Sequence, residues 1–598
     1  MGLFDRVAES AEELFQRGNK AYQEEDFSTS YRLLGQAAQQ GHRRSQYLFA
    51  RHHWRGQGVA VDKVTALEWY EKAAQQGETD AQYMAALIHR KGDAGTQDLP
   101  KALYWYEQAA LQGDAASQYW CGKMYMNGQG TAADDAKALA WFEKAASQDN
   151  KHALFYCGWM HENGKGTAKD EAKALTLYEK AAALGQPDAL RNAGVMYLNG
   201  RGTQKDTAKA LVLFEQAALQ DDYNAQYYCA QMYDKGVGTA ADKAKSLYWY
   251  EKAAQAGVKK ALYECAIRYY KGIGTEVDYD KAFPWMKKVA QHGDVDAQFR
   301  CGWMYSHAEG VEKNDSEALV WYEKAAEQGS LNAQFNCGLF YRKGMGTAVD
   351  MAKSLYWYEK AAEQGDADAM YRCGMIYYDG EGMPKDYRAA LQWLEKAAEL
   401  GDKNAQYQCG MMYRNGEGVP QDDVTALKWL EKAAEQGDTD AMYFCSLICD
   451  RSKTVPRDWN KSTEWLIKAA ELSENDCELY ILCALQYAVG DGDKHYYAEA
   501  FRWYEKAAAM GSLEAKDKMA WAYLDGHGVP QDTQKGLALL EEVAEAGQAT
   551  TQFMLGRLYY YGDKDYGIVS DRDKAYHWIT AAVKQGNHVA EEFYADNF

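Results

Sequence analysis

The sequence predicts an all-α fold, a solenoid of helical hairpins, and three observations predict it. One small apolar position recurs at steps of 36 residues: Cys229, Cys265, Cys301, Cys337, Cys373, Cys409 and Cys445 are evenly spaced, Cys121 and Cys157 keep the same register, and Ala193 fills the gap. Each period holds two stretches with helical apolar spacing. A pair of glycines separates them. A fixed period of this length marks stacked supersecondary units, and 598 residues exceed what one ordinary core serves.

The first helix of a unit is well seen from Ala369. Ala369, Cys373, Ile376, Tyr377 and Gly380 fall on one helical stripe. Gly380 and Gly382 then end it, because glycine accepts the left-handed geometry of a helix cap. Asp386 is the expected N-cap of the second helix. That helix turns Ala390, Leu391, Leu394, Ala397 and Ala398 to one side, with Trp393 beside them, and Gly401 closes it. One such hairpin cannot bury its own stripe, whereas stacked neighbours can. The register extends upstream through Ala85 and Phe49. Downstream it runs to Ile481, slips by two to Met519 and resumes at Leu555.

The run Cys373-Gly374-x-x-Tyr377-x-x-Gly380-x-Gly382, followed by Trp393-Leu394-Glu395-Lys396-Ala397-Ala398-x-x-Gly401, resembles the Sel-1-like repeat family, a relative of the tetratricopeptide repeats. Its units read L-G-x-x-Y-x-x-G-x-G and W-x-x-K-A-A-x-x-G. The likeness covers nearly the whole chain and departs in placing Cys where the family usually has Leu. It implies a right-handed superhelical α/α solenoid of about sixteen 36-residue hairpins, whose first helices line a concave groove. Residues 1–42 are expected to form a tetratricopeptide-like capping hairpin with a shortened loop. Residues 43–476 form the regular array, and residues 477–598 hold degenerate repeats and a closing helix at "VAEEFYADNF". The unit from Ala441 lacks both loop glycines (Ser452, Thr454), and the next gains residues around "VGDGDKHYY".

The formal charge of -20 and the pI near 5.2 argue against a phosphate-backbone ligand, so no nucleic acid is expected. The opening residues show no basic segment followed by an apolar one. Gly2 lacks the Ser or Thr of a myristoylation signal, and no apolar run reaches membrane-spanning length. The expected compartment is the cytoplasm, in a bacterial cell by resemblance, with no membrane partner. Equivalent positions on packed helices lie about 8–10 Å apart, beyond disulfide reach. Exported relatives join the two helices of a repeat by a disulfide, but here the second helix has no matching cysteine. The cysteines are therefore expected to be reduced, buried and volume-filling.

No cofactor and no metal are expected: neither C-x-x-C nor a paired His constellation occurs. His53, His89 and His161 stand where other units have a core Tyr, so hydrogen-bonded core histidines are the expected reading. Copper or zinc capture is the alternative. G-x-S-x-G, the phosphate-binding loop, H-E-x-x-H and the dinucleotide fingerprint are all missing, so an enzyme is not expected.

Function is expected on the side of each first helix that faces away from its buried stripe, at the third, fourth, seventh and tenth positions of the unit. The third position is mostly aromatic, as in Tyr47, Tyr83, Phe335 and Tyr371, which fits either helix–helix packing or an aromatic track for a peptide. Trp120, Tyr156 and Trp159 mark an adhesive patch, and Trp303 repeats it further on. Arg300, Arg342, Lys343, Arg372 and Arg414 form a basic island suited to carboxylates. The competing reading is internal pairing with groove acids such as Asp379. The sequence thus predicts a non-catalytic adaptor that captures one or more proteins or peptides, basic or bearing an acidic segment, along its groove. An immunity or antitoxin-type protein is the alternative, and a β-lactamase-like hydrolase, suggested by relatives, lacks a visible nucleophile–base pair.

Overall fold

The structure is a computed structural model that describes residues 9–473, 476–492 and 494–598. Residues 1–8, with the Gly2 reading and the start of the expected cap, lie outside the described residues, as does Asp493 in the expected insertion. The described residues form 33 helices and no strand, with two isolated bridges at Asp491–Lys494 and Asp563–Ile568. The chain is an all-α solenoid: consecutive helices pair as hairpins, and a last helix, His588–Asn597, follows them. Contacts divide it into two compact units. One runs up to Ala297 and includes Ala308–Glu312; the other comprises Gln298–His307 and Lys313–Phe598.

The hairpin of Ala367–Asp379 and Tyr387–Glu399 shows why these residues fold this way. The Asp366 side chain accepts from the Ala369 N–H at 2.7 Å and caps the first helix. Gly380 ends it at φ +71°, donating to the Ile376 carbonyl. The Asp386 N–H returns to the Tyr377 carbonyl at 2.9 Å, and the Asp386 side chain accepts from the Arg388 and Ala389 amides to start the second helix. Ala390, Leu391, Leu394, Ala397 and Ala398 are buried, as their spacing predicts. Small residues let the two helices approach: a Cβ on Gly374 would stand 2.6 Å from Leu394 Cγ.

Two rows of polar contacts tie many of the hairpins to the one before within each unit. Tyr341 Oη donates to Glu323 at 2.5 Å, and Tyr233 and Tyr413 repeat this toward Glu215 and Glu395 at 2.6 Å. Of the three histidines that replace the tyrosine, His89 keeps the contact, with Nε2 2.8 Å from Glu71. In the second row, Gln334 Nε2 donates to the Ala326 carbonyl of the preceding helix at 3.0 Å and accepts from Gln364 at 2.7 Å. Gln82, Gln118 and Gln406 do the same.

All twelve cysteines are free thiols and eleven are buried. Burial pushes Cys157 and Cys265 up to about 12. The unit from Ala441 departs where the lost glycines predict. Helix Thr439–Arg451 ends at Ser452 in an extended conformation rather than a left-handed one.

Candidate functional site

The third-position aromatics are half-buried and lean on the second helix of their own hairpin. Tyr47 meets Tyr70 at 5.7 Å, Tyr83 meets Tyr106 at 5.8 Å, and Phe335 meets Tyr358 at 5.4 Å. Packing within the hairpin thus occupies one side of this row.

Fourth-position aromatics reach back to the preceding hairpin. Trp120 stacks on Tyr106 at 6.2 Å and carries the Arg90 guanidinium over its ring at 3.9 Å. Tyr156 stacks on Phe142 at 5.2 Å, and Lys123 Nζ donates to its hydroxyl at 2.8 Å. Tyr228, which helical spacing alone did not single out, stacks on Phe214 at 4.7 Å. It joins Trp159, Glu162, Arg191 and Arg201 around a cavity of about 360 Å³.

The seventh position is apolar and partly exposed. Trp159 is half-exposed in the first unit. In the second unit Trp303, Leu339, Met375 and Met411 succeed one another on four first helices, all partly or fully exposed. Trp303 is the one exposed tryptophan among the described residues, at 36%. It stacks on His307 with ring centres 3.8 Å apart.

The basic residues divide. Arg342 is committed to Glu381, with Nε and Nη2 each 2.8 Å from a carboxylate oxygen. That pairing holds the Glu381 carboxyl below its usual range. The acid comes from the next hairpin's loop, not from a groove position such as Asp379. Arg372 is half-buried with its guanidinium 5.7 Å from the Tyr371 ring, and Arg414 lies 4.7 Å over Phe444. Lys343 is exposed, and none of these three forms an ion pair among the described residues. Arg300 is half-buried on helix Val295–His307.

The histidines are mostly bound into the core. His52 contacts Ser30 Oγ at 3.0 Å and the Gln57 carbonyl at 2.5 Å. His53 lies 3.5 Å from the Tyr31 hydroxyl, whereas buried His161 has neither ring nitrogen hydrogen-bonded, its Nε2 standing 3.9 Å from Glu143, so the expected hydrogen-bonded core histidine is not found there. Among the described residues no group of three or more His, Cys, Asp or Glu could hold a metal ion. No helix among them is long and apolar enough to cross a membrane.

An array of hairpins whose first helices leave a partly exposed apolar row is a helical-repeat scaffold. Comparison with known proteins makes this specific. The Sel1 repeat model matches sixteen times, from residues 6–42 to residues 549–587, and the chain belongs to the Sel1 repeat family. The structure of c5321, a protective antigen of uropathogenic Escherichia coli strains displaying an SLR fold, is similar at 31% identity. The match covers 76% of this chain and 96% of that one, with a TM-score of 0.52. A Sel1 repeat protein from Oxalobacter formigenes is 29% identical over 61% of this chain and 93% of its own, with a TM-score of 0.32. The human protein sel-1 homolog 2 is 36% identical over 93 residues, which are 16% of this chain and 13% of that protein's length. Sel1-type solenoids are in general protein-interaction modules, typically without catalysis.

Proposed function

We propose that this protein is an adaptor that captures an extended segment of a partner protein along the exposed face of its first helices. The observation that carries this reading is the succession Trp303, Leu339, Met375 and Met411 at one helical position, with Trp303 exposed and the other three partly buried against the core beneath them. Surface tryptophan in such a row is costly unless a partner covers it, and Trp anchors are the residues that dominate binding energy at interfaces. Trp120, Tyr156 and Trp159 extend the same chemistry in the first unit. Lys343, Arg372 and Arg414 add cations for acidic groups of the partner. Buried free thiols on every side fit a reducing compartment, and the cytoplasm is the compartment we propose.

The test is capture of partners from the native host by wild type and by Trp159→Ala/Trp303→Ala. Loss of a specific partner from a variant that melts like wild type supports the reading; an unchanged set of partners contradicts it.

A further inference from the structure

Four times among the described residues, the tenth residue of a first helix bonds the residue 39 further on, at the centre of the next hairpin's loop, which is Gly-x-Gly in three cases and Ala308-Glu309-Gly310 in the fourth. Arg201 lies 2.9 Å from Glu162, and Tyr270 donates to Glu309 at 3.0 Å. Arg342 donates twice to Glu381, and Tyr378 donates to Glu417 at 3.0 Å. Each pair is complementary: base with acid, or hydroxyl with acid.

Arg414 lacks such a pairing. The residue at the corresponding place is Lys453, and the glycines beside it are replaced by Ser452 and Thr454. Ser452 ties the altered loop down, its Oγ donating to Asp423 Oδ2 at 2.6 Å. A cavity of about 410 Å³ opens there, lined by Arg414, Arg451, Asn415, Gln421, Asp423 and Ser452. The nearby acid Asp450 is engaged by Arg457 at 2.9 Å and by Arg451 at 3.6 Å. Arg414 has no ion pair among the described residues, and Phe444 steadies its guanidinium at 4.7 Å.

We infer that this cavity is a carboxylate slot, taking an acidic side chain of a partner polypeptide where Arg342 takes Glu381 from its own chain. The occupant follows from charge. A planar guanidinium without an ion pair, in a cavity it shares with Arg451 and with an Asp423 already held by Ser452, selects a carboxylate by paired hydrogen bonds. The inference rests on the reading that the partner lies along the first-helix face, and it names one chemical group on that partner.

The experiment uses the full chain and two labelled peptides, one of alternating Glu and Ala and one of alternating Gln and Ala, with binding read by fluorescence anisotropy. The Glu peptide is expected to bind about tenfold more tightly, with a dependence on salt. Lys453→Glu supplies the missing acid internally and is expected to abolish the preference while raising the melting temperature. Arg414→Gln is expected to abolish it as well. Equal binding of the two peptides to wild type, or a preference that survives Lys453→Glu, overturns the slot. The two proposals fail separately. Loss of partner capture in Trp159→Ala/Trp303→Ala without a Glu preference removes the slot and keeps the binding face. A Glu preference abolished by Lys453→Glu, with capture indifferent to the tryptophans, keeps the slot and removes the face.

Discussion

Gln364 Nε2 donates to Gln334 Oε1 at 2.7 Å, and the same Gln334 donates to the Ala326 carbonyl at 3.0 Å. One buried amide thus joins both helices of its hairpin to the hairpin before. The chain itself shows the apolar alternative: Leu154, Met370 and Met442 hold the position of Gln334 where Leu184, Leu400 and Leu472 hold that of Gln364. Gln334→Leu leaves Ala326 and Gln364 without this partner and is expected to cost about 1–2 kcal/mol. Gln334→Leu/Gln364→Leu is expected to recover part of that loss. Urea unfolding of the two single variants and the double one measures the coupling, and purely additive effects would show that the pair is not a unit.

The tyrosine–glutamate contacts make the array sensitive to alkali. Tyr125 is pushed up to about 12, chiefly by its bond to Glu107 and then by burial; Tyr233 is pushed up to about 12 by burial first and then by Glu215. Unfolded tyrosine titrates near 10. The folded state therefore favours the neutral phenol. This contribution is full below pH ~10 and is lost as pH rises from 10 towards 12. Buried thiols such as Cys157, also raised, start the decline about one unit lower. The urea midpoint should fall steadily across this window, and less steeply in Tyr125→Phe/Tyr233→Phe.

Gly346 sits at φ +68°, and a Cβ there would stand 2.3 Å from the backbone carbonyl carbon of Asp315. No side-chain rotation relieves a clash with backbone. Gly346→Ala is expected to destabilise the second unit by more than about 2 kcal/mol, combining left-handed strain with overpacking. Thermal unfolding followed by circular dichroism checks this.

The thiols give a fourth test. Cys477 is the one partly exposed cysteine, and the other eleven are buried. In native protein prepared without reductant, a colorimetric thiol reagent should modify Cys477 alone on the fast timescale; in denaturant it should modify all twelve. A shortfall in denaturant would mean disulfides and would remove the cytoplasmic proposal.

Much of the fold was legible because the physics is local and repeats. The spacing of Ala390, Leu391, Leu394, Ala397 and Ala398 names a buried helical face directly, and Asp386 and Gly380 are punctuation that chain geometry demands. The contacts between helices were harder to read. Tyr377 and Glu359 lie 18 residues apart, Gln334 and Gln364 lie 30 apart, and Arg342 and Glu381 lie 39 apart. A helical period within one segment does not reveal those separations. The signal was present as covariation among repeats, such as Leu154 with Leu184 where other units have two glutamines. Arg342 shows the consequence for the site. Its acid sits in a loop, outside the helical positions from which groove partners were sought.

The most direct measurement is hydrogen–deuterium exchange of the full chain with and without a partner recovered from its native host. The account predicts slowed exchange on binding in first helices such as Leu331–Lys343, Ala367–Asp379 and Lys403–Asn415, with second helices such as Tyr387–Glu399 unchanged. Protection confined to the second helices would contradict it.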